Sequence, residues 1–240
     1  MFSKTFLVSL LAVSFLGAAN AANDIAGVQI GSAFATSKAL VVKANPGYQI
    51  NEIRGGGGKV VGINALVQKD GRFIDQFVVI QNDAGIVWFV ARAQGFEKGA
   101  RIKSETLLNS LQEKYGSPSE MSVGSGGPMW DFDREGKLYQ GASTQGPCYT
   151  GIGAGTTTSF GKVPGALGIN IPRTFGPKCG TRISTGVSKD SNDGMVSAFS
   201  VQIVDSKRMF DELNNKDMKL QTERQRQLDG EKARDAKPSL

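Results

Sequence analysis

Ser159 and Lys162 stand three residues apart in Ser159-Phe160-Gly161-Lys162, the spacing at which penicillin-recognising enzymes use a lysine to help activate a serine. The companion elements of that chemistry are missing: Ser191-Asn192-Asp193 has the wrong order, and no Lys-Thr-Gly follows. Asp131 and Asp133 are a second candidate. Two residues apart on an extended segment, their carboxylates share one side of a strand, and Glu135 would join them if the strand continued. Such a group could hold a hard cation or serve glycoside hydrolysis, yet no calcium-loop spacing or partnered acid accompanies it. An exposed strand face is the expectation. The chain contains no histidine, which removes Ser-His-Asp and Cys-His catalysis, histidine zinc sites and the usual neutral-pH proton shuttle together. The glycine runs at Gly55 to Gly58 and Gly151 to Gly155 lack the spacing of phosphate and dinucleotide loops and read as turns.

A charge asymmetry is the more suggestive feature. Between Glu135 and Asp190 there is no acidic residue, while Lys137, Lys162, Arg173, Lys178, Arg182 and Lys189 all fall there among many glycines. Unopposed cations on a loop-rich surface attract anions, and glycine leaves backbone N–H groups open to join in. Arg173, Lys178 and Arg182 flank Cys179 and form the candidate anion-binding set. Cys148 and Cys179 are the only cysteines. In an oxidising compartment such a pair is expected to form a disulfide, and neither lies in a Cys-x-x-Cys pair.

That compartment is suggested by the opening residues. Lys4, the apolar run Phe6 to Leu16 and Ala19-Asn20-Ala21 have the three-part form of a secretory signal peptide over residues 1–21, with export to the periplasm or the medium as the consequence. The apolar run is short for a membrane span, and no later segment is apolar enough to cross a bilayer. The formal charge of +6 is mild for an exported protein and does not amount to a nucleic-acid footprint.

The elements that must position these residues follow from periodicity. Asp24 to Gly31 reads as a short strand, and Ala33 to Asn45 as a helix burying Phe34, Leu40 and Val41, stopped by Pro46-Gly47. Strands are expected over Tyr48 to Arg54, Lys59 to Gln68 with Val61, Ile63, Ala65 and Val67 on one face, Arg72 to Gln81, and Gly85 to Gln94. The helix Ser104 to Tyr115 has Leu107, Leu108, Leu111 and Tyr115 at helical spacing, with Ser104 placed to cap it and Gly116 to end it.

Beyond Pro118 a linker at Gly124 to Gly127 leads to strands at Pro128 to Asp133, Leu138 to Ser143, Thr181 to Ser188 and Met195 to Val204. The turns Asn82-Asp83-Ala84-Gly85 and Asn192-Asp193-Gly194 each precede a long apolar strand and then a helix, which suggests two sheet-plus-helix halves, 22–118 and 119–206. Residues 207–240 are highly charged. Met209, Leu213 and Leu220 could seat a turn or two of helix, so 207–240 is expected to be a charged helical or disordered tail, fraying from Thr222 onward. The class is α+β, an antiparallel meander packed against helices.

The opening Ile25-x-Gly27-Val28-x-Ile30-Gly31, followed by helix, meander, helix and Leu111-x-x-Lys114-Tyr115-Gly116-x-Pro118, resembles exported bacterial domains of the β-lactamase-inhibitor-like and small outer-membrane-assembly lipoprotein fold group. The resemblance covers residues 24–118 and implies a binding protein with helices on one face of an antiparallel sheet. The expected function is therefore non-enzymatic binding, without a cofactor, of a protein or an anionic envelope ligand. Two rivals are an envelope hydrolase using Ser159 with Lys162 or the Asp131 and Asp133 pair, and a structural component docked through its C-terminal helix.

Overall fold

The computed structural model describes residues 23–121, 126–150, 156–157 and 169–234. The proposed signal segment, Ser159, Lys162 and the first half of the expected linker, Gly124 and Ser125, lie outside the described residues, while its second half, Gly126 and Gly127, is strand and not linker. The first expected strand is instead a tight hairpin of β1 (Asp24–Ile25) and β2 (Val28–Gln29), with Ala26 and Gly27 both at positive φ as a two-residue turn requires. Helix α1 (Phe34–Ala44) follows and buries Val41 and Ser37, while Phe34 and Leu40 pack at the core margin.

The rest is one eight-stranded antiparallel sheet. The chain contributes β3 (Gln49–Arg54), β4 (Val60–Lys69), β5 (Arg72–Gln81) and β6 (Val87–Gly95). After α2 (Ser104–Tyr115) come β7 (Glu120–Met121) and β8 (Gly126–Asp133), then a separate two-residue pair, β9 (Thr156–Thr157) with β10 (Thr174–Phe175). Finally β11 (Cys179–Lys189) and β12 (Val196–Asp205) lead into α3 (Ser206–Ala233). The spatial order is β3-β4-β5-β6-β12-β11-β8-β7. Two four-strand meanders, each introduced by a helix, thus meet edge to edge where β6 pairs with β12, and the two halves share one sheet.

Each face of the sheet carries its own apolar cluster. On one, Val41, Leu107, Leu111 and Tyr115 from α1 and α2 cover Phe77, Val79, Val90, Trp130, Ile183 and Ile203. Full burial of such a side chain contributes about 1.5–3 kcal/mol. Trp130 is fixed as well as buried, because its Nε1–H donates to the Gly116 carbonyl at 2.9 Å and its ring meets that of Tyr115 at 5.5 Å. On the other face Met209, Phe210 and Leu213 of α3 pack with Ile53, Val78, Ile80, Trp88, Phe89 and Phe175.

Bulges alter the alternation that the sequence implies. Trp88 is the extra residue where Ile80 and Gln81 pair with Phe89 and Val87, so Trp88 and Phe89 both face the second cluster. Val61 is the extra residue opposite Ile53 and Arg54 and packs on that same side, away from Ile63 and Ala65, with which simple alternation had grouped it. Other corrections are local. Ser104 is the first residue of α2 and not its cap; Lys103 holds the cap position, and no side chain bonds the helix start. Leu138 to Ser143 forms no strand, since β8 already has β7 and β11 beside it; Leu138 makes a single bridge to Phe132, and a 3-10 turn covers Ser143–Gln145.

The C-terminal helical tail is present as expected but runs further than the expected fraying at Thr222. It continues unbroken to Ala233 even though its side chains from Asn215 to Asp229 are exposed, and Leu220 does not seat against the body. Asp205 caps its start by accepting from the Arg208 N–H at 3.0 Å. Lys216 then ties it to the β5–β6 turn, donating to Asp83 at 2.6 Å, while Lys59 bonds the same carboxylate at 3.0 Å. Hydrogen bonds from Lys216 and Lys59 hold the Asp83 carboxyl below its usual range. A depressed folded-state pKa stabilises above the unfolded value, about 3.9, and its contribution is lost as pH falls through the lowered one. Both partners are exposed, so the tether contributes less than about 1 kcal/mol. Amide protection near Lys216, taken relative to the intrinsic exchange rate at each pH, is expected to fall below about pH 3.9 with the sheet still protected; unchanged protection there would refute the tether.

Candidate functional site

The two cysteines are joined, with Cα atoms 4.4 Å apart, and both are buried. Their bridge fastens the segment after the β8 turn to the start of β11. Gly180, next to Cys179, makes that junction possible: a Cβ there would come within 1.9 Å of the Asp133 carbonyl oxygen, a contact only glycine avoids.

A cleft of about 720 Å³ opens beside the bridge, within the roughly 300–1,000 Å³ of small-ligand sites. One wall comes from the β8 turn and the loop after it, with Asp133, Lys137, Tyr139 and Gln140. The other comes from the residues around the disulfide, with Gln145, Pro147 and Tyr149 on one side of it and Pro177 and Lys178 on the other. Each wall is held from behind. Asp133 Oδ1 accepts from the backbone N–H groups of Glu135 and Lys137, at 3.1 and 2.8 Å, which closes the turn. The Glu120 carboxylate accepts from the Ser143 N–H, and that hydrogen bond keeps its pKa below the usual range. Arg134 grips Asp211 of α3 through two bonds of 2.8 Å and reaches the Pro177 carbonyl at 3.3 Å, so the far wall leans on the C-terminal helix.

The candidate cations divide. Lys178 lines the cleft. Arg173 is exposed and lies outside it. Arg182 is not the unopposed charge the sequence suggested: it sits across from Asp131 in the β8–β11 ladder and donates Nε–H to Oδ1 at 2.7 Å and an Nη2–H to Oδ2 at 2.8 Å. Asp131 is fully buried, which overturns the expectation of an exposed strand face and leaves its two oxygens occupied. Asp133 is engaged in its turn, so the two acids do not form a matched acid–base pair. The Ser159 and Lys162 arrangement lies outside the described residues.

Lys137 and Lys178 make no ion pair among the described residues. Sequence reasoning placed Lys137 in the acid-free segment but not in the site, and it missed Tyr139, Gln145 and Tyr149. The available signal was adjacency: Tyr149 directly follows a cysteine whose bridge fixes its backbone. Among the described residues no helix is long and apolar enough to cross a membrane, and no cluster of ligating side chains could hold a metal ion. No family model matches the chain, and neither a curated protein nor a solved structure matches it.

Proposed function

We propose that this is an exported binding protein, delivered to the periplasm or the medium, that takes an anionic ligand in the cleft beside Cys148–Cys179. The observation that carries the reading is that Lys137 and Lys178 line one concave site and neither makes an ion pair among the described residues. A low-dielectric wall on each side strengthens the pull of such charges on an anion relative to open surface. The disulfide fits an oxidising destination, as does the signal-like opening. A binding task, and not turnover, is favoured by the absence of histidine from the sequence and by the buried, mutually satisfied Asp131 and Arg182.

Reversing both lysines, Lys137→Glu with Lys178→Glu, is expected to abolish retention on an anionic resin at low ionic strength, because it replaces two attractions with two repulsions. Arg173→Glu alone is expected to change retention little, since Arg173 lies outside the cleft. Equal retention of the double variant and the wild type across a salt series would end the proposal. Both lysines are exposed, so the fold is expected to survive the change.

A further inference from the structure

The uncommitted groups of the cleft are of mixed kind, and the mixture narrows the ligand. Lys137 and Lys178 call for an anion. Asp133, on the same wall as Lys137, contributes the opposite demand: its Oδ1 is taken by backbone N–H groups, while Oδ2 accepts no hydrogen bond from the described residues. The side chains of an acidic peptide would bring acceptors alone, and inorganic phosphate carries at most two hydroxyls close to its own charge, so both are repelled by that oxygen. A ligand hydroxyl donates to it instead. The amide of Gln145 and the phenols of Tyr139 and Tyr149 both donate and accept, as suits a partner carrying several hydroxyls.

The aromatic surfaces add shape to this chemistry. Tyr139 is fixed against backbone: a Cβ on Gly141 or Gly146 would come within 2.9 or 3.2 Å of it. Tyr149 lines the cleft while 54% exposed, a large aromatic left in water where a flat apolar face can cover it. We propose that the cleft binds a carboxylated saccharide: the lysines take the carboxylate, Asp133 and Gln145 the hydroxyls, and Tyr149 the C–H face of a sugar ring. This rests on the anion-binding reading above and names the ligand class for the same site.

The test is calorimetric titration of the oxidised protein with a galacturonate oligosaccharide, a malto-oligosaccharide of the same length, poly-L-glutamate and inorganic phosphate. The galacturonate oligosaccharide is expected to bind. Tyr149→Ala is expected to weaken it about ten-fold, and Lys137→Glu with Lys178→Glu to remove it. Because Tyr149 is exposed, its variant keeps the fold, which near-UV circular dichroism verifies. If poly-L-glutamate or phosphate binds as tightly and Tyr149→Ala changes nothing, the saccharide assignment is overturned while the anion reading stands. If the neutral oligosaccharide binds as well as the charged one, the role given to the lysines fails and both readings fall. If none of the four binds, both fall as well.

Discussion

Asp75→Ala is expected to destabilise the protein by about 3–5 kcal/mol, the range for breaking a buried ion pair on one side. Asp75 is 5% exposed and satisfies five donors. Arg92 on the neighbouring strand reaches it through Nε at 3.1 Å and Nη2 at 2.7 Å, and Tyr48 donates its hydroxyl at 2.6 Å. Asn45, just past the end of α1, and Gln94 complete the set. Burial, followed by the hydrogen bond to Asp75, raises the Tyr48 pKa, so the phenol stays a donor across the working range of pH. Removing the carboxylate leaves the Arg92 guanidinium partly buried without its counter-charge and frees the chain that joins α1 to β3.

Urea unfolding provides the measurement. A paired replacement, Asp75→Leu with Arg92→Met, is expected to lose much less, since apolar side chains of similar volume can replace a buried pair at little cost. A single variant that unfolds within about 1 kcal/mol of the wild type would show that the pair is not structural.

Reducing or deleting the disulfide carries the second large effect. Cys148 and Cys179 are 31 residues apart, and closing a loop of that length stabilises by about 3.5–4 kcal/mol in the chain-entropy account. Cys148→Ser with Cys179→Ser is expected to lower stability by that order and to abolish binding in the cleft, because the bridge that joins the Pro147–Tyr149 and Pro177–Lys178 parts of its lining is then gone. The Asp75 variant, by contrast, acts at the other half of the sheet and is expected to spare binding at temperatures where it remains folded. Oxidised and reduced protein with equal urea midpoints, or undiminished binding after reduction, would refute the assigned role of the bridge.

Some features were legible because they are local. The α2 boundaries at Ser104 and Tyr115 follow from leucine spacing and from Gly116, which takes φ +80° at the C-cap. The turns at Asn82 to Gly85 and Asn192 to Gly194 follow from side chains that bond their own backbone, as Asn82 does to Ala84 and Ile86. The bulge at Trp88 was not legible, because strand alternation is a rule of period two and an inserted residue shows itself only against its neighbour. Nor was the pairing of Asp131 with Arg182: the residues are far apart in the chain, and charge counting sees a lone cation in an acid-free segment where the β8–β11 register places a carboxylate opposite it.

The amino-acid sequence by itself determined the α+β class, the order of most strands and helices, the pairing of two cysteines that had no other partner, and the closing of histidine-based routes. Those follow from composition and from short-range periodicity, which every stretch of chain carries within itself. Tertiary structure alone decided that two meanders share one sheet through β6 and β12, that Arg182 is occupied, and that Lys137 and Lys178 line one cleft with Tyr139 and Tyr149. Those depend on which distant strands become neighbours, and that is settled by burial of the two apolar faces acting on the whole chain at once.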